Sequence, residues 1–293
     1  MEIKTYFCNI DNFGDALNKY IYDKCFGVKV IHANSWEASY AGIGSILDHL
    51  LFQTKDIFKV FKNILNINKQ ITLMSCGFAR ENEYYLKKPR FFKRMVFKRK
   101  IKVLSLRGEL TKEQVSKIDN KIDLSDIALG DMGLLASYLL DKKEEKKYSL
   151  GICPHYDDIS NPIFKQIQEE YPNSIILNTK DDPIEFLKKV AQCETIISTG
   201  LHPLIVADSL GIPNLWCRIN EKTTTRHKYY DYYSVFGIKV EPVNLFENKI
   251  SPEMIKANYK VDYQKKEEVK QKLFNHHKKY FDNLLSNVGE KND

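Results

Sequence analysis

Residues 194–214 constrain the fold more tightly than any other stretch of this chain. The β-branched run Thr195-Ile196-Ile197-Ser198 ends in the turn Thr199-Gly200, which predicts a buried strand meeting a tight turn. The apolar run 204–210, closed by Gly211, predicts a short buried helix, and another strand starts near Asn214. Strand, turn, helix and strand in this order form the repeating unit of a parallel α/β sheet. Ligands of such sheets gather outside the carboxyl ends of the strands, where backbone N–H groups and the helix dipole favour an anion. His202 is expected at the helix start, where it can give or take a proton beside that anion. Ser198, Thr199 and Gly200 form the adjoining turn. The plainer alternative is a histidine that only caps or packs the helix.

The same alternation runs along the chain. Strands are expected at 3–7, 40–43, 71–75, 103–106 and 127–129, and again at 148–152, 174–177, 195–198 and 214–216. The run 141–147 contains only Asp, Glu and Lys, and it separates the two strand sets as a domain boundary would. The expected organisation is α/β with two Rossmann-like domains, at 1–143 and 144–260, followed by a C-terminal helix within 261–293. Val269, Leu273, Phe274, Phe281, Leu284 and Leu285 form an apolar stripe over 265–285, as on a helix that docks along one face. Such a helix could return to brace the first domain.

A hydrophobic content of 43% with 28% charged residues excludes a disordered or collagen-like chain. No run approaches the roughly 20 apolar residues of a membrane span. Met1-Glu2-Ile3-Lys4 lacks the apolar core of a signal peptide, so a cytosolic protein is expected. Six cysteines without Cys-x-x-Cys or Cys/His clustering indicate reduced, buried thiols and no metal site. Cys153 beside His155 is a candidate nucleophile, with packing the plainer reading. The net charge of +7 favours anionic partners. Residues 87–100 interleave Lys and Arg with Phe91, Phe92 and Phe97, which suits either peripheral contact with an anionic membrane face or a solvated helix docked by its aromatics. No nucleic-acid recognition motif accompanies this segment.

Further candidates fall at other predicted strand ends. His155 follows the strand near 148–152, and Arg226, Lys228 and Tyr233 lie in a basic aromatic cluster after the strand at 214. Asn12 and Asp15 follow the first strand and begin a helix, where simple capping is the alternative. Gly42 and Gly44 allow close backbone approach, with Ser45 as an expected helix cap. Arg107 could clamp a carboxylate or phosphate with its planar fork, or could form a salt bridge to Glu109 or to a neighbouring domain. Asp131 could accept a sugar hydroxyl or cap a helix. Neither a Gly-x-Gly-x-x-Gly fingerprint nor a Walker loop is present.

Taken in order, Asn12-Phe13-Gly14-Asp15, Ile43-Gly44-Ser45-Ile46-Leu47, Leu106-Arg107-Gly108-Glu109-Leu110-Thr111, Gly130-Asp131, Pro154-His155-Tyr156, Leu201-His202, Gly211-Ile212-Pro213 and Lys228 with Asp231-Tyr232-Tyr233 resemble the polysaccharide pyruvyl transferase family. The resemblance implies a fold similar to B-type glycosyltransferases. It also implies transfer of a pyruvyl group from phosphoenolpyruvate, as co-substrate and without a further cofactor, to a glycan, often lipid-linked, in capsule or exopolysaccharide synthesis. His202 and His155 are then the acid/base residues. Ser198, Thr199, Gly200, Arg107, Arg226 and Lys228 fall on the donor side, and Asn12, Asp15, Ser45, Asp131 and Tyr233 on the acceptor side. Many members carry Arg and Gly where this chain has Gly200 and Pro203, so the donor's cation is expected from Arg107, Arg226 or Lys228. Two rivals stand beside this reading: a nucleotide-sugar glycosyltransferase of the same architecture and a non-catalytic glycan-binding subunit.

Overall fold

The structure is a computed structural model that describes residues 1–8, 12–51, 69–81, 99–220 and 226–289. Of the basic aromatic segment 87–100, all but Arg99 and Lys100 lie outside the described residues. Arg99 donates to the carbonyls of Ser35 and Ala38 at 2.9 and 2.7 Å, which ties it to the protein's own backbone.

The first sheet contains β1 (Glu2–Tyr6), β2 (Lys29–His32), β3 (Tyr40–Ala41), β4 (Gln70–Cys76), β5 (Lys100–Leu106) and β6 (Ala128–Leu129). Its strand order is β2-β1-β3-β4-β5-β6. The second contains β7 (Leu150–Cys153), β8 (Ser174–Ile176), β9 (Ile196–Ser198), β10 (Asn214–Arg218) and β11 (Val243–Asn244), in the order β11-β10-β9-β7-β8. Every pairing is parallel. The strands β2 and β11 escape the sequence reading, and both lie at sheet edges. Alternate side chains of β2 face solvent, so it lacks the continuous apolar run that marks a buried strand.

The helices that position the site are α1 (Phe13–Phe26), α2 (Leu47–Leu51), α3 (Glu109–Ile118), α4 (Pro162–Glu170), α5 (Pro183–Ala191), α6 (Leu201–Ser209) and α7 (His227–Ser234). Helix α1 starts because the Asn12 side chain accepts from the Gly14 N–H, and it stops at Gly27, whose φ of 63° is left-handed. Helix α6 is buried on nearly every side, as the apolar run Leu204-Ile205-Val206-Ala207 at its centre favours.

One hydrophobic core runs across both sheets. The Phe13 and Phe186 rings pack at 4.4 Å, and the Phe13 N–H donates to the Thr179 carbonyl at 2.7 Å. A 3-10 helix, Met132–Leu139, continues this seam: the Ser209 hydroxyl at the end of α6 donates to the Leu134 carbonyl at 2.6 Å. After α8 (Pro252–Asn258), α9 (Tyr263–Gly289) returns to the first sheet. Leu273 and Phe281 are buried there, whereas Leu285 stays 39% exposed. His277 of α9 meets the Ser105 hydroxyl of β5 at 2.7 Å.

Candidate active site

The two sheets present the carboxyl ends of their strands to a shared cavity of about 140 Å³. Asn12, Asp15 and Ser45 line it from the first half of the chain, and His155, His202 and Lys228 from the second. A larger cavity of about 380 Å³ opens beside the linker. Two of its lysines are already engaged, Lys146 by the carbonyls of Ala191 and Cys193 and Lys256 by Glu194. The smaller cavity therefore holds the chemically richer set.

His202 occupies the first turn of α6. The cap residue Gly200 brings no side chain to the helix end, which leaves the first-turn N–H groups of Leu201 and His202, both cavity-lining residues, without a side-chain cap, Pro203 having no N–H to offer. The imidazole lies against Gly14 of α1, where an added Cβ would come 1.8 Å from Nδ1; only glycine permits this approach. Burial pulls the His202 pKa down to about 3, helped by the positive charges of Lys228 and Arg107. His155 is lowered as well, by burial and by Lys228. Its backbone N–H donates to the Thr199 hydroxyl at 2.8 Å, and that hydroxyl donates to Asp158 at 2.8 Å. The His155 and Tyr156 rings pack at 4.2 Å. His202 therefore holds no proton at pH 7 in the free protein, and His155 is shifted in the same direction. Burial beside fixed cations disfavours imidazolium, so the acid/base residue expected at position 202 is a neutral imidazole.

The other two ionisable groups move toward neutrality from opposite sides. Burial raises the Asp15 carboxyl to about 7, against the lowering influence of Asn12 and Lys228. Burial lowers the Lys228 ammonium to about 8, assisted by Arg107 and opposed by Asp15. No carboxylate among the described residues lies within ion-pair distance of Lys228.

Other candidate residues do different work. Arg107 is 1% exposed. Its Nε donates to Asp231 at 2.9 Å, its Nη1 to the Ser45 hydroxyl at 2.7 Å and its Nη2 to the Phe78 carbonyl, so the fork is committed to the protein. Ser45 precedes α2 and receives Arg107 there, in place of the expected capping. Ser198 bonds the carbonyls of Cys153 and Gly200 and is buried, while Thr199 positions His155 as described; both shape the turn from beneath. Arg226 lies outside the cavity lining, 3.9 Å from Glu241. Asp131 is fully buried and caps the 3-10 helix through the Gly133 N–H at 2.8 Å, which removes it from acceptor contact. Tyr233 is 3% exposed and packs on Tyr232. Tyr230 is the partly exposed member of that cluster. On α7, Tyr229, Tyr232 and Tyr233 follow the i, i+3, i+4 spacing of an inward face, and Phe236 just beyond the helix is buried with them. Cys153 is fully buried and its thiol is held well above its ordinary pKa, as a packing residue.

The most important residue without an assigned role in the sequence is Asp231. Besides Arg107, it accepts from the Thr111 N–H and hydroxyl, each at 2.7 Å. A Cβ at Gly108 would stand 1.8 Å from the Asp231 carbonyl oxygen, so the two halves touch backbone to backbone. Tyr156, Cys8 and Thr179 also line the cavity. Of these, only Tyr156 was signalled in sequence, by its place beside His155. Among the described residues there is no cluster of three His, Cys, Asp or Glu side chains able to hold a metal ion, and no helix long and apolar enough to cross a membrane.

Two parallel α/β layers facing one another across a ligand-sized cleft define the architecture of B-type glycosyltransferases. A protein of Listeria monocytogenes described as a UDP-N-acetylglucosamine 2-epimerase shares it, with a TM-score of 0.50 and 11% identity over 94% of this chain and 90% of that one. A protein from Klebsiella pneumoniae is also similar, with a TM-score of 0.46 and 14% identity over 79% of this chain and 87% of that one. The chain belongs to the polysaccharide pyruvyl transferase family, whose model matches residues 9–221. The match spans the first sheet except β1 and the second except β11, and includes all six lining residues named above except Lys228. Protein L143 of Acanthamoeba polyphaga mimivirus is 28% identical over 243 residues, covering 80% of this chain and 74% of that protein.

Proposed function

We propose that this protein transfers a pyruvyl group from phosphoenolpyruvate to a sugar of a surface polysaccharide or its lipid-linked precursor, closing a ketal across two hydroxyls. The observation that carries this reading is the shared cavity. It joins a lysine lacking a described carboxylate partner and an open helix N-terminus to a neutral histidine. The donor is a small molecule bearing both carboxylate and phosphate, so its site needs a cation and oriented N–H groups. Lys228 supplies the first and the opening turn of α6 the second. Asn12 and Ser45 offer hydrogen bonds to the sugar, and the Tyr156 ring provides a face against which it can rest.

His202, neutral and in the cavity wall, suits the role of base toward the attacking hydroxyl. His155 stands by as a second hydrogen-bonding group for phosphate. The reaction takes place in the cytosol, with the segment 87–100 holding the protein near a membrane-bound acceptor.

The test is thermal stability with phosphoenolpyruvate, with pyruvate and with sugar nucleotides, followed by phosphate release on methyl hexopyranosides carrying free 4,6- or 3,4-diols. A ligand at 100 times its Kd adds about 2.7 kcal/mol of stability. A response to phosphoenolpyruvate together with diol-dependent phosphate release is the expected result. Stabilisation by a sugar nucleotide alone would replace this reading with glycosyl transfer.

A further inference from the structure

We infer that Asp15 is the acid of the site, delivering its proton to the methylene carbon of the donor while His202 receives the proton of the attacking hydroxyl. This rests on the reading of the donor as phosphoenolpyruvate. The geometry begins with position: Asp15 is 6% exposed and lines the cavity from the first turn of α1. It directly follows Gly14, the residue on which the His202 ring lies. The carboxyl and the imidazole thus approach the same small volume from opposite domains. Asn12 on the same helix turn donates to Asp15 at 3.5 Å. The other titratable groups facing the space are Cys8 from the end of β1, His155 and Tyr156 from beyond β7, His202 on α6 and Lys228 on α7.

The reaction needs a proton donor; Lys228 is an ammonium up to about 8 but serves as the cation that holds the donor's negative charge, and elimination narrows the choice among the other lining residues. Burial and cations lower both histidines, His202 to about 3, which favours their neutral forms. The Cys8 thiol is pushed up to about 11 and the Tyr156 phenol is also raised, which makes both weak acids at neutral pH. Asp15 is the carboxyl that burial holds protonated up to about 7. An anionic donor bound alongside would raise it further, because negative charge favours the protonated form. The same anion would lift His202 from its low value and make it a better proton acceptor.

The chemistry balances without a co-reactant. The proton of Asp15 adds to the methylene carbon, converting CH₂ to CH₃ and leaving the adjacent carbon electron-deficient. The first sugar hydroxyl adds there, its proton passing to His202. The second hydroxyl then forms the other C–O bond as the C–O bond to phosphate breaks, and phosphate departs with the electron pair. Of the two hydroxyl protons, one leaves with phosphate and the other restores Asp15.

The experiment compares the whole protein with Asp15→Asn in phosphate release from phosphoenolpyruvate on the methyl hexopyranoside panel, alongside melting temperature with and without phosphoenolpyruvate. The expected result is a kcat loss of about 100-fold or more, the range that general acid catalysis spans, with stabilisation by phosphoenolpyruvate retained. The wild-type rate should also fall on the alkaline side as the acid ionises. Turnover by Asp15→Asn within about 3-fold of wild type, well below that range, would overturn the assignment. Should Asp15→Asn fail to fold, Asp15→Glu decides: it keeps a carboxyl and should retain measurable turnover with the alkaline limb intact, whereas loss of that limb with full activity rejects the role. A wild-type protein stabilised by sugar nucleotides but not by phosphoenolpyruvate removes the donor reading, and this inference with it.

Discussion

Gly14 and His202, one from each half of the chain, touch so closely that a single methyl group at position 14 would fall 1.8 Å from the imidazole nitrogen. The contact fixes the histidine by excluding any side chain beneath it. Gly14→Ala must push either the ring or α1 aside. Overpacking of this kind costs about 1–3 kcal/mol, and steady-state kinetics should show kcat falling about 10-fold or more, since small misplacements of a catalytic group are expensive. A variant with unchanged kcat would show that the ring position is immaterial.

His202→Ala removes the base and leaves a void at the cavity wall. Turnover should drop by roughly 100-fold or more, while circular dichroism stays native, because the buried contacts of α6 come from its apolar residues. Full activity in this variant would exclude His202 from the chemistry.

Asp231 joins the domains. Replacing it with Ala leaves the guanidinium of Arg107 buried without its counter-charge, and removal of one partner from such a pair costs about 3–5 kcal/mol. Urea unfolding should report a loss of this size. Arg107 would also lose its fixed geometry at Ser45, so KM for the acceptor should rise. A change below about 1 kcal/mol, the scale of exposed ion pairs, would contradict the burial described here.

Two buried groups give the stability a pH signature of opposite signs. Burial depresses His277 to about 3, against about 6.5 in an unfolded chain. The unfolded state alone binds this proton as pH drops below 6.5, so the histidine's contribution to stability is lost toward pH 3. His277→Leu should flatten that acid limb in urea midpoints measured from pH 4 to 7, even though Ser105 loses its partner. Asp15 behaves in the reverse sense. With a folded value of about 7 and an unfolded one near 3.9, its contribution is present at low pH and is lost as pH rises through 7. The melting temperature of Asp15→Asn relative to wild type should therefore climb between pH 5 and 8.

The layered fold was legible because each of the nine expected strands is a β-branched or apolar run ended by a turn. Edge strands β2 and β11 were not, since solvent exposure on one side replaces that run with mixed polarity. His155, His202, Lys228, Asn12, Asp15 and Ser45 could be named from their places at strand ends, which the topology then gathers. What sequence left open was sharing: Arg107 reads equally as a ligand clamp or as a salt bridge to a neighbouring domain, and Asp231, 124 residues away, takes its fork. Tyr233 shows the converse case. The resemblance put it on the acceptor side, but it is 3% exposed because its helical spacing with Tyr229 turns it into the core. The protonation states also escaped, because burial and the proximity of Lys228 set them rather than residue type.

Helix α9 returns the chain to the first sheet after the second is complete. The polypeptide therefore passes between the two lobes twice, after the 3-10 helix and again between α8 and α9. A single connector would allow the lobes to swing in any direction. Two connectors, reinforced by the buried Arg107–Asp231 pair and by the core that both sheets share, hold the lobes against such swinging.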